Sequence, residues 1–287
     1  MFLSDWRLLE ENPPPNRFQK VRIAIGDSSS LVLDSWSIEM NQLELAMDGI
    51  ERTVQNDLIV GNAGWLSLGL ESGNSFNRLT CQGNLTLQDG GRLHLFSGAT
   101  NGVVDHGALL CVQGNFTITG GGRFYPYAHK TNGGTALCRA RSLFLDEDSV
   151  IDAWGRGFEY ASGPGRGWTS GNRGGGGGYG GAGGNGVNSG SLGGQPYGNV
   201  TDPVAPGSGG GPYYNEGSRG GGSIRLEIAD VVSLCGTLVA SGAPDYSTWR
   251  SGGGSGGAVR IQARAITGNG AIVAGGGAGS ASYSGGG

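Results

Sequence analysis

The chain has 287 residues, of which 62 are glycine and 15% are charged, and its formal net charge is −4. This thin charge makes neither nucleic acid nor an anionic membrane surface an obvious partner, and no apolar run approaches the ~20 residues of a membrane span. Glycine is about three times as frequent as its usual ~7%. Glycine without a period is typical of a disordered linker, but here recurring β-branched and leucine runs predict a buried core.

Residues 1–20 are predicted to form an extended N-terminal segment, because three consecutive prolines, Pro13 to Pro15, favour polyproline II geometry. The first residues lack the positive region and the long apolar region of a signal peptide. A secreted protein of this sequence would therefore have lost its leader already or be exported by another route.

Residues 21–154 carry a repeat. Leu58–Leu68 matches Leu85–Leu95 without gaps at an interval of 27 residues, and further copies begin at Phe116 and Leu143. Each copy is apolar-x-apolar, then four or five turn residues, then apolar again, which predicts half-buried strands separated by turns. Repeats of 27 to 35 residues with similar side chains at equivalent positions favour an all-β, right-handed parallel β-solenoid. A β-sandwich built of hairpins is the alternative.

Residues 155–222 break this rhythm with glycine runs and dispersed aromatic residues. They predict polyglycine-II-like segments, with three residues per turn and a rise of ~3.1 Å, that pack closely because they lack side chains. A long flexible loop is the alternative. The aromatic residues would plug gaps left by glycine or, alternatively, stack on sugar rings.

Residues 223–287 are predicted to be glycine-rich solenoid coils. The stretch Gly220–Ile228 is answered by Gly254–Ala263, and Val232–Gly242 aligns without gaps with Ile266–Gly276, 34 residues later. Self-similarity at such a period is typical of stacked coils.

The second half carries a resemblance. The tract Gly174–Gly186 is followed by Tyr197–Gly211 and then by strands reading Gly-Gly-Ser-Ile-Arg-Leu and Gly-Gly-Ala-Val-Arg-Ile. Over about residues 140–287, this order resembles the glycine-rich β-solenoid modules of large secreted surface proteins of bacteria and some protists. It is similar, more loosely, to the polyglycine-II sandwich of phage tail-tip adhesins. The resemblance implies an extracellular or cell-surface location and a structural or adhesive role.

No residue pattern predicts catalysis, a cofactor or a bound metal. The acidic run Asp146–Asp148 falls at a turn position of the repeat, which favours a solvated turn over a calcium site. His94, His106 and His129 share no metal-ligand spacing, and His94 is expected on an exposed strand face. We therefore expect a protein that is not an enzyme.

The four cysteines include three that recur about one coil apart. Cys81, Cys111 and Cys138 each follow an apolar-x pattern, which predicts that they stack inside the solenoid as small buried side chains. A disulfide between neighbouring coils is the alternative.

Three N-x-[ST] sequons occur, at Asn84, Asn115 and Asn199. Asn84 and Asn115 occupy the same position in consecutive repeats. In a eukaryotic protein they would be glycosylation sites aligned along one edge, whereas in a bacterial protein they would be ordinary turn residues.

The two ends of the repeat suggest self-assembly. Each glycine tract before Gly285–Gly287 is followed by an apolar-Arg-apolar strand, and a strand with that pattern lies at Val21–Ile25. Because an uncapped solenoid end exposes strand edges, we expect head-to-tail stacking, which gives a filament when the contact does not close. The predicted interface consists of Val21, Arg22, Ile23, Ala24, Ile25, Gly285, Gly286 and Gly287. The alternative is that the sequence is a fragment of a longer repeat protein.

The sequence thus predicts an extracellular structural protein that assembles with copies of itself into a surface filament or matrix. The second hypothesis is a glycan-binding adhesin or tail-fibre tip, whose aromatic residues contact sugars. A polysaccharide-acting β-helix enzyme is a less favoured third.

Overall fold

The computed structural model describes residues 20–22, 31–33, 36–39, 42–45, 51–71, 73–100, 104–171, 173–214, 216–245, 250–280 and 284–287. For the first four of these ranges, only the backbone is described. Within the described residues the regular structure is all β, and no helix there is long and apolar enough to cross a membrane.

In chain order, a first strand precedes seven coils of three strands each. The first strand is β1 (Lys20–Arg22). The first four coils are β2 (Leu31–Leu33), β3 (Trp36–Glu39) and β4 (Gln42–Leu45); β5 (Glu51–Val54), β6 (Leu58–Gly61) and β7 (Trp65–Leu68); β8 (Asn77–Cys81), β9 (Leu85–Leu87) and β10 (Arg92–Phe96); β11 (Ala108–Val112), β12 (Phe116–Ile118) and β13 (Arg123–Tyr127). The fifth is β14 (Ala136–Ala140), β15 (Leu143–Leu145) and β16 (Val150–Asp152).

An insertion at residues 153–222 separates the fifth coil from the sixth. It contains the short antiparallel pair β17 (Thr169–Ser170) and β18 (Arg173–Gly174). The last two coils are β19 (Ser223–Ile228), β20 (Val231–Leu234) and β21 (Thr237–Val239); β22 (Ala258–Gln262), β23 (Ala265–Thr267) and β24 (Ala271–Val273).

Equivalent strands of successive coils pair to form three sheets along the solenoid axis. Sheet A is β1-β4-β7-β10-β13-β16-β21-β24, sheet B is β2-β5-β8-β11-β14-β19-β22, and sheet C is β3-β6-β9-β12-β15-β20-β23. Every pair within these sheets is parallel. The predicted parallel β-solenoid is therefore confirmed, and the sandwich of hairpins, which requires antiparallel neighbours, is wrong.

The core is a set of apolar ladders inside the coil. Side chains alternate between the two faces of a strand, and inward-facing residues stack on their equivalents one coil away. The ladder of sheet C runs through Leu58, Leu85, Phe116, Leu143 and Val232, each at most 1% exposed. The 34-residue repeat of the second half is confirmed as well, because β20 pairs with β23 and β21 with β24 at that offset.

The cysteines follow the same alternation, with one correction. Cys81 and Cys138 face inward and are buried, opposite Val112 and Leu110 of the coil between them. Cys111 is one position out of register and lies only half-buried on the outer face, because a one-residue shift moves a side chain to the other side of a sheet. All four cysteines are free thiols, so the structure contains no disulfide between coils.

Three successive loops leave the solenoid at the same corner, where the chain passes from sheet A to sheet B. They are residues 153–222 after β16, residues 240–257 after β21, and residues 274–287 after β24. Glycine dominates all three loops. They meet at this corner and form the unit described next.

Candidate functional site: the glycine bundle and the solenoid ends

The corner loops form a bundle of extended segments joined by backbone hydrogen bonds. We call it the glycine bundle; it comprises residues 157–168, 174–178, 183–195, 207–211, 218–222, 240–243, 250–257, 274–279 and 284–287. Most of these residues lie outside any strand. Their amides and carbonyls instead bond from segment to segment across the bundle.

Segment 174–178 shows the geometry of this packing. Its first and fourth amides donate to segment 250–253, its second and fifth donate to segment 165–168, and its third donates to Gly184, at 2.7–3.0 Å. The same neighbour is met again after three residues, so the segment has the three-residue turn of a polyproline II or polyglycine II helix. This is the arrangement predicted from the sequence for the glycine insertion.

The carbonyls of the same segment face three further neighbours. Those of its first three residues accept hydrogen bonds from the amides of Gly285, Gly211 and Gly194, at 2.8–3.1 Å. The segment is therefore bonded to six others: residues 165–168, 183–186, 192–195, 207–211, 250–253 and 284–287. A threefold helix with donors and acceptors in six directions gives hexagonal packing.

The three-residue recurrence is repeated in segment 252–257. Two of its amides, three residues apart, donate to segment 207–211, and two others with the same spacing donate to segment 240–243. The bundle thus includes loops that follow the last two coils, whereas the sequence pattern predicts only solenoid coils for this part of the chain.

Glycine is required inside the bundle because neighbouring backbones approach too closely for a side chain. A Cβ at Gly174 would meet the carbonyl oxygen of Gly211, and one at Gly176 would meet that of Gly286, nearer than real Cβ atoms come. By contrast, a Cβ at Gly180 or Gly181 would meet nothing within 4 Å. Glycine at the first two positions therefore has a packing reason that is missing at the other two.

The aromatic residues of the insertion divide into two sets. Phe158 is 5% exposed, and Tyr197 is half-buried, packing edge-on against Tyr179 with ring centroids 5.0 Å apart. The Tyr197 hydroxyl donates to the Pro206 carbonyl and accepts from Ser208 Oγ, and burial raises the pKa of this phenol. These three rings fill gaps between glycine segments. Trp168, 52% exposed, lies at the surface instead.

The C-terminal end of the solenoid leaves inward-facing side chains uncovered. In the sixth coil, the inward residues Leu226, Val232 and Leu238 are fully buried. Their partners in the seventh coil are Ile261, Ile266 and Ile272. Ile266 is 55% and Ile272 52% exposed, and Ile261 is half-buried. The outer edges of β22, β23 and β24 have no paired strand among the described residues.

The N-terminal end presents the opposite strand edges. Within the described part of the chain, β1, β2 and β3 each pair on one side only. Val21 and Arg22 lie in β1, opposite Leu43 and Glu44, whereas the remaining predicted interface residues of this strand, Ile23, Ala24 and Ile25, lie outside the described residues.

Two features of the predicted interface differ from the sequence pattern. The Val21–Ile25 segment shares its apolar-Arg-apolar pattern with Ile224–Ile228, but β1 belongs to sheet A and β19 to sheet B, so the two are not equivalent in the coil. Gly285, Gly286 and Gly287 lie in the glycine bundle, where Gly285 is buried. The chain after β24 therefore returns to the bundle.

The predicted glycosylation sites lie at the surface. Asn84 and Asn115 occupy equivalent corners between sheets B and C, and Asn84 Oδ1 accepts a hydrogen bond of 3.0 Å from the amide of Asn115. The Asn84 amide in turn donates to Asp57 Oδ1 at 2.6 Å. Asn199 lies on an exposed loop and caps it by accepting from the Thr201 amide at 2.9 Å. The aligned corner ladder is confirmed; glycosylation stays a prediction.

One cluster on the outer face of sheet A was not found from the sequence. His94, expected to be exposed, is 7% exposed and stacks between Trp65 and Tyr125, with ring centroids 4.5 and 4.4 Å apart. Tyr127 Oη lies 3.1 Å from His94 Nδ1, and the Arg156 guanidinium covers Tyr125. Burial, with the cations Arg156 and Arg92 nearby, lowers the pKa of His94 to about 3. The repeat places His94 beside Tyr125, but Trp65 is in register with Arg92, so alignment alone does not show that the imidazole is covered.

The acidic run at residues 146–148 forms a turn. Asp146 accepts hydrogen bonds from the Gly120 amide, at 2.7 Å, and from the Ser149 hydroxyl. Among the residues that the structure describes, no three His, Cys, Asp or Glu side chains are placed to share a metal ion.

Compared with known proteins, the chain matches no family model, no curated protein and no solved structure.

Proposed function

We propose that this chain is a structural subunit of an extracellular filament or matrix, in which solenoids join head to tail. The observation that carries the proposal is the uncovered set of inward-facing isoleucines in the seventh coil, whose equivalents one coil earlier are fully buried. Apolar side chains at such positions are stabilised by burial at roughly 25 cal/mol per Å². A further coil placed on this end would bury them.

A second copy of the chain fits this end because its N-terminal edges are complementary. Each sheet has one open edge at either end within the described residues, and parallel pairing can continue there with the same polarity. A contact between opposite ends of identical subunits is heterologous and, where it does not close, produces a filament. The extracellular location rests on the resemblance of the glycine-rich half to secreted surface modules.

The strand count refines this junction. Among the described residues, sheet A contains eight strands, and sheets B and C contain seven each. Pairing of β1 of one copy with β24 of another would continue sheet A from one subunit into the next. The axial repeat would then be eight strand spacings of ~4.8 Å, or about 38 Å.

The experiment is electron microscopy of the purified chain at two concentrations, with two variants. Wild type is expected to form filaments with an axial repeat of about 38 Å. The double variant Ile266→Glu/Ile272→Glu places charges in the junction and should stay as discrete particles. Phe144→Glu is the matched control, because Phe144 is a similarly exposed apolar residue, 41% exposed, on the outer face of sheet C in the fifth coil.

Two results would contradict the proposal. One is discrete wild-type particles at both concentrations; the other is filaments of the double variant that equal those of wild type. Deletion of residues 1–25 should also abolish assembly. If the deletion variant forms unchanged filaments, the N-terminal strand is not part of the junction. Glycan binding is the second candidate function, favoured by the pocket described next.

A further inference from the structure

A pocket lies where the glycine bundle meets the solenoid corner. Its volume is about 290 Å³, and its walls come from three successive passes of the chain. Trp154 follows β16, residues 216–219 precede β19, and residues 243–245 follow β21. The space is large enough for one sugar ring and open enough for a chain of sugars to continue outside it.

The pocket walls combine an aromatic ring with oxygen-bearing side chains. Trp154 is 38% exposed, and with Pro244 it supplies apolar surface. The carboxylates of Glu216 and Asp245 also line the space. An indole suits the apolar face of a pyranose ring, while carboxylates accept hydrogen bonds from its hydroxyl groups.

Backbone hydrogen bonds hold the walls in place without a ligand. The Ala243 amide donates to the Arg219 carbonyl at 2.9 Å, and the Gly254 amide donates to the Ala243 carbonyl at 3.0 Å. On the other wall, the Ser218 carbonyl accepts from the Gly210 amide at 3.0 Å. A preformed pocket reduces the entropy that binding must offset.

The charges in the wall select against acidic ligands. Arg219, the cation of the lining, is already paired with Glu71, with Nη1 2.8 Å from Oε1. The lining also contains two carboxylates, that of Glu216 and that of Asp245, whose Oδ2 accepts a hydrogen bond of 2.9 Å from the Ser251 amide. A uronic or sialic acid would place a like charge beside them, whereas a neutral sugar would not.

We propose that this pocket binds a neutral pyranose residue of a polysaccharide or glycan, with the ring stacked on Trp154 and hydroxyls bound by Glu216 and Asp245. This inference does not rest on the head-to-tail junction. The sequence suggested sugar contacts for the aromatic residues of the second half without naming one of them. The proposal assigns such a contact to the Trp154 pocket.

The test is saturation-transfer NMR and calorimetry on the full chain with four probes: maltotriose, cellotriose, chitotriose and the acidic trigalacturonate. At least one neutral trisaccharide should bind, and trigalacturonate should bind at least tenfold more weakly. Trp154→Ala should lower the neutral affinity at least tenfold, and Glu216→Gln at least threefold. Trp168→Ala is the matched control, because Trp168 is also exposed, at 52%, but lies outside the pocket lining, and it should bind like wild type.

Circular dichroism and melting curves show whether each variant is folded. Three results would overturn the proposal: no neutral trisaccharide binds wild type at millimolar concentration; trigalacturonate binds more tightly than the neutral probes; or folded Trp154→Ala binds as wild type does. If Trp154→Ala does not fold, the double variant Glu216→Gln/Asp245→Asn serves instead, and unchanged affinity in that variant would equally reject the site.

Discussion

Replacing Gly176 with alanine tests the packing of the glycine bundle at one atom. The new Cβ would meet the carbonyl of Gly286 and the amide nitrogen of Gly287, so segment 284–287 has to move. This segment is held at these two residues by bonds of 2.8 Å, from the Gly184 amide to Gly286 and from the Gly287 amide to Gly277. The substitution therefore breaks both bonds or displaces a second segment.

The magnitude follows from the two bonds. A typical backbone hydrogen bond contributes about 1 kcal/mol net, so Gly176→Ala should destabilise the chain by about 2 kcal/mol or more. Gly180 provides the control, because a Cβ there meets nothing within 4 Å and its φ is not in the left-handed region. At such a site, Gly→Ala stabilises by about 0.4–1 kcal/mol, because it restricts the unfolded chain.

Scanning calorimetry measures the difference. Since 1 kcal/mol shifts the Tm of a chain of this size by roughly 2–4 °C, Gly176→Ala should melt about 4–8 °C below wild type, and Gly180→Ala should melt at or above it. Hydrogen exchange should accelerate in residues 184–186 and 284–287 of the first variant only. Equal melting temperatures for the two variants would refute close backbone packing as the reason for glycine here.

Two further predictions concern the solenoid. His94 is neutral in the folded protein, with its pKa lowered from 6.5 to about 3, so its contribution to stability is complete above pH 6.5 and is lost as the pH falls toward 3. Between pH 7 and pH 5 the free energy of unfolding should fall by about 2 kcal/mol, at 1.36 kcal/mol per pH unit below the unfolded pKa. Urea titrations at the two pH values should show this loss in wild type and not in His94→Phe. An equal loss of stability in both proteins would contradict the prediction. Native thiol labelling followed by mass spectrometry should modify the half-buried Cys111 and Cys235 and spare the buried Cys81 and Cys138. Burial raises the pKa of the Cys138 thiol, and rapid labelling of this residue would show that the core is open.

The coil architecture could be predicted from the sequence because its repeat is a direct consequence of stacking. Leu58, Leu85, Phe116 and Leu143 recur since each has to fill the same place on the axis, and β-pairing keeps them in register. The face of the sheet on which a particular residue lies is harder to predict, because it depends on the register of the strand. Cys111 resembles Cys81 in its local pattern but is one residue out of step, and only the pairing partners reveal that it faces outward.

The outer-face cluster and the pocket were beyond reach of the sequence for a different reason. His94 is covered not by its own strand but by Trp65 and Tyr125 of the neighbouring coils, and Arg156, which follows β16, covers Tyr125 in turn. A period-two pattern places a residue on a face without stating what covers that face. The walls of the Trp154 pocket likewise come from three passes separated by up to about 90 residues of chain.

The bundle and the solenoid end are connected through the chain that follows β24. The described residues of this stretch, 274–280 and 284–287, return to the bundle, where the Gly253 amide donates to the Gly285 carbonyl and the Gly285 amide donates to the Gly174 carbonyl. The bundle therefore stabilises the last coil laterally, while the inward-facing isoleucines of that coil stay uncovered at the end of the solenoid. Lateral stabilisation is thus separate from the proposed axial contact. If the junction needs an ordered last coil, Gly176→Ala should reduce filament formation together with stability, whereas Gly180→Ala should not. The comparison is made under conditions where hydrogen exchange shows a loosened segment 284–287 in Gly176→Ala only. If both variants then form filaments equally well, the bundle has no part in assembly.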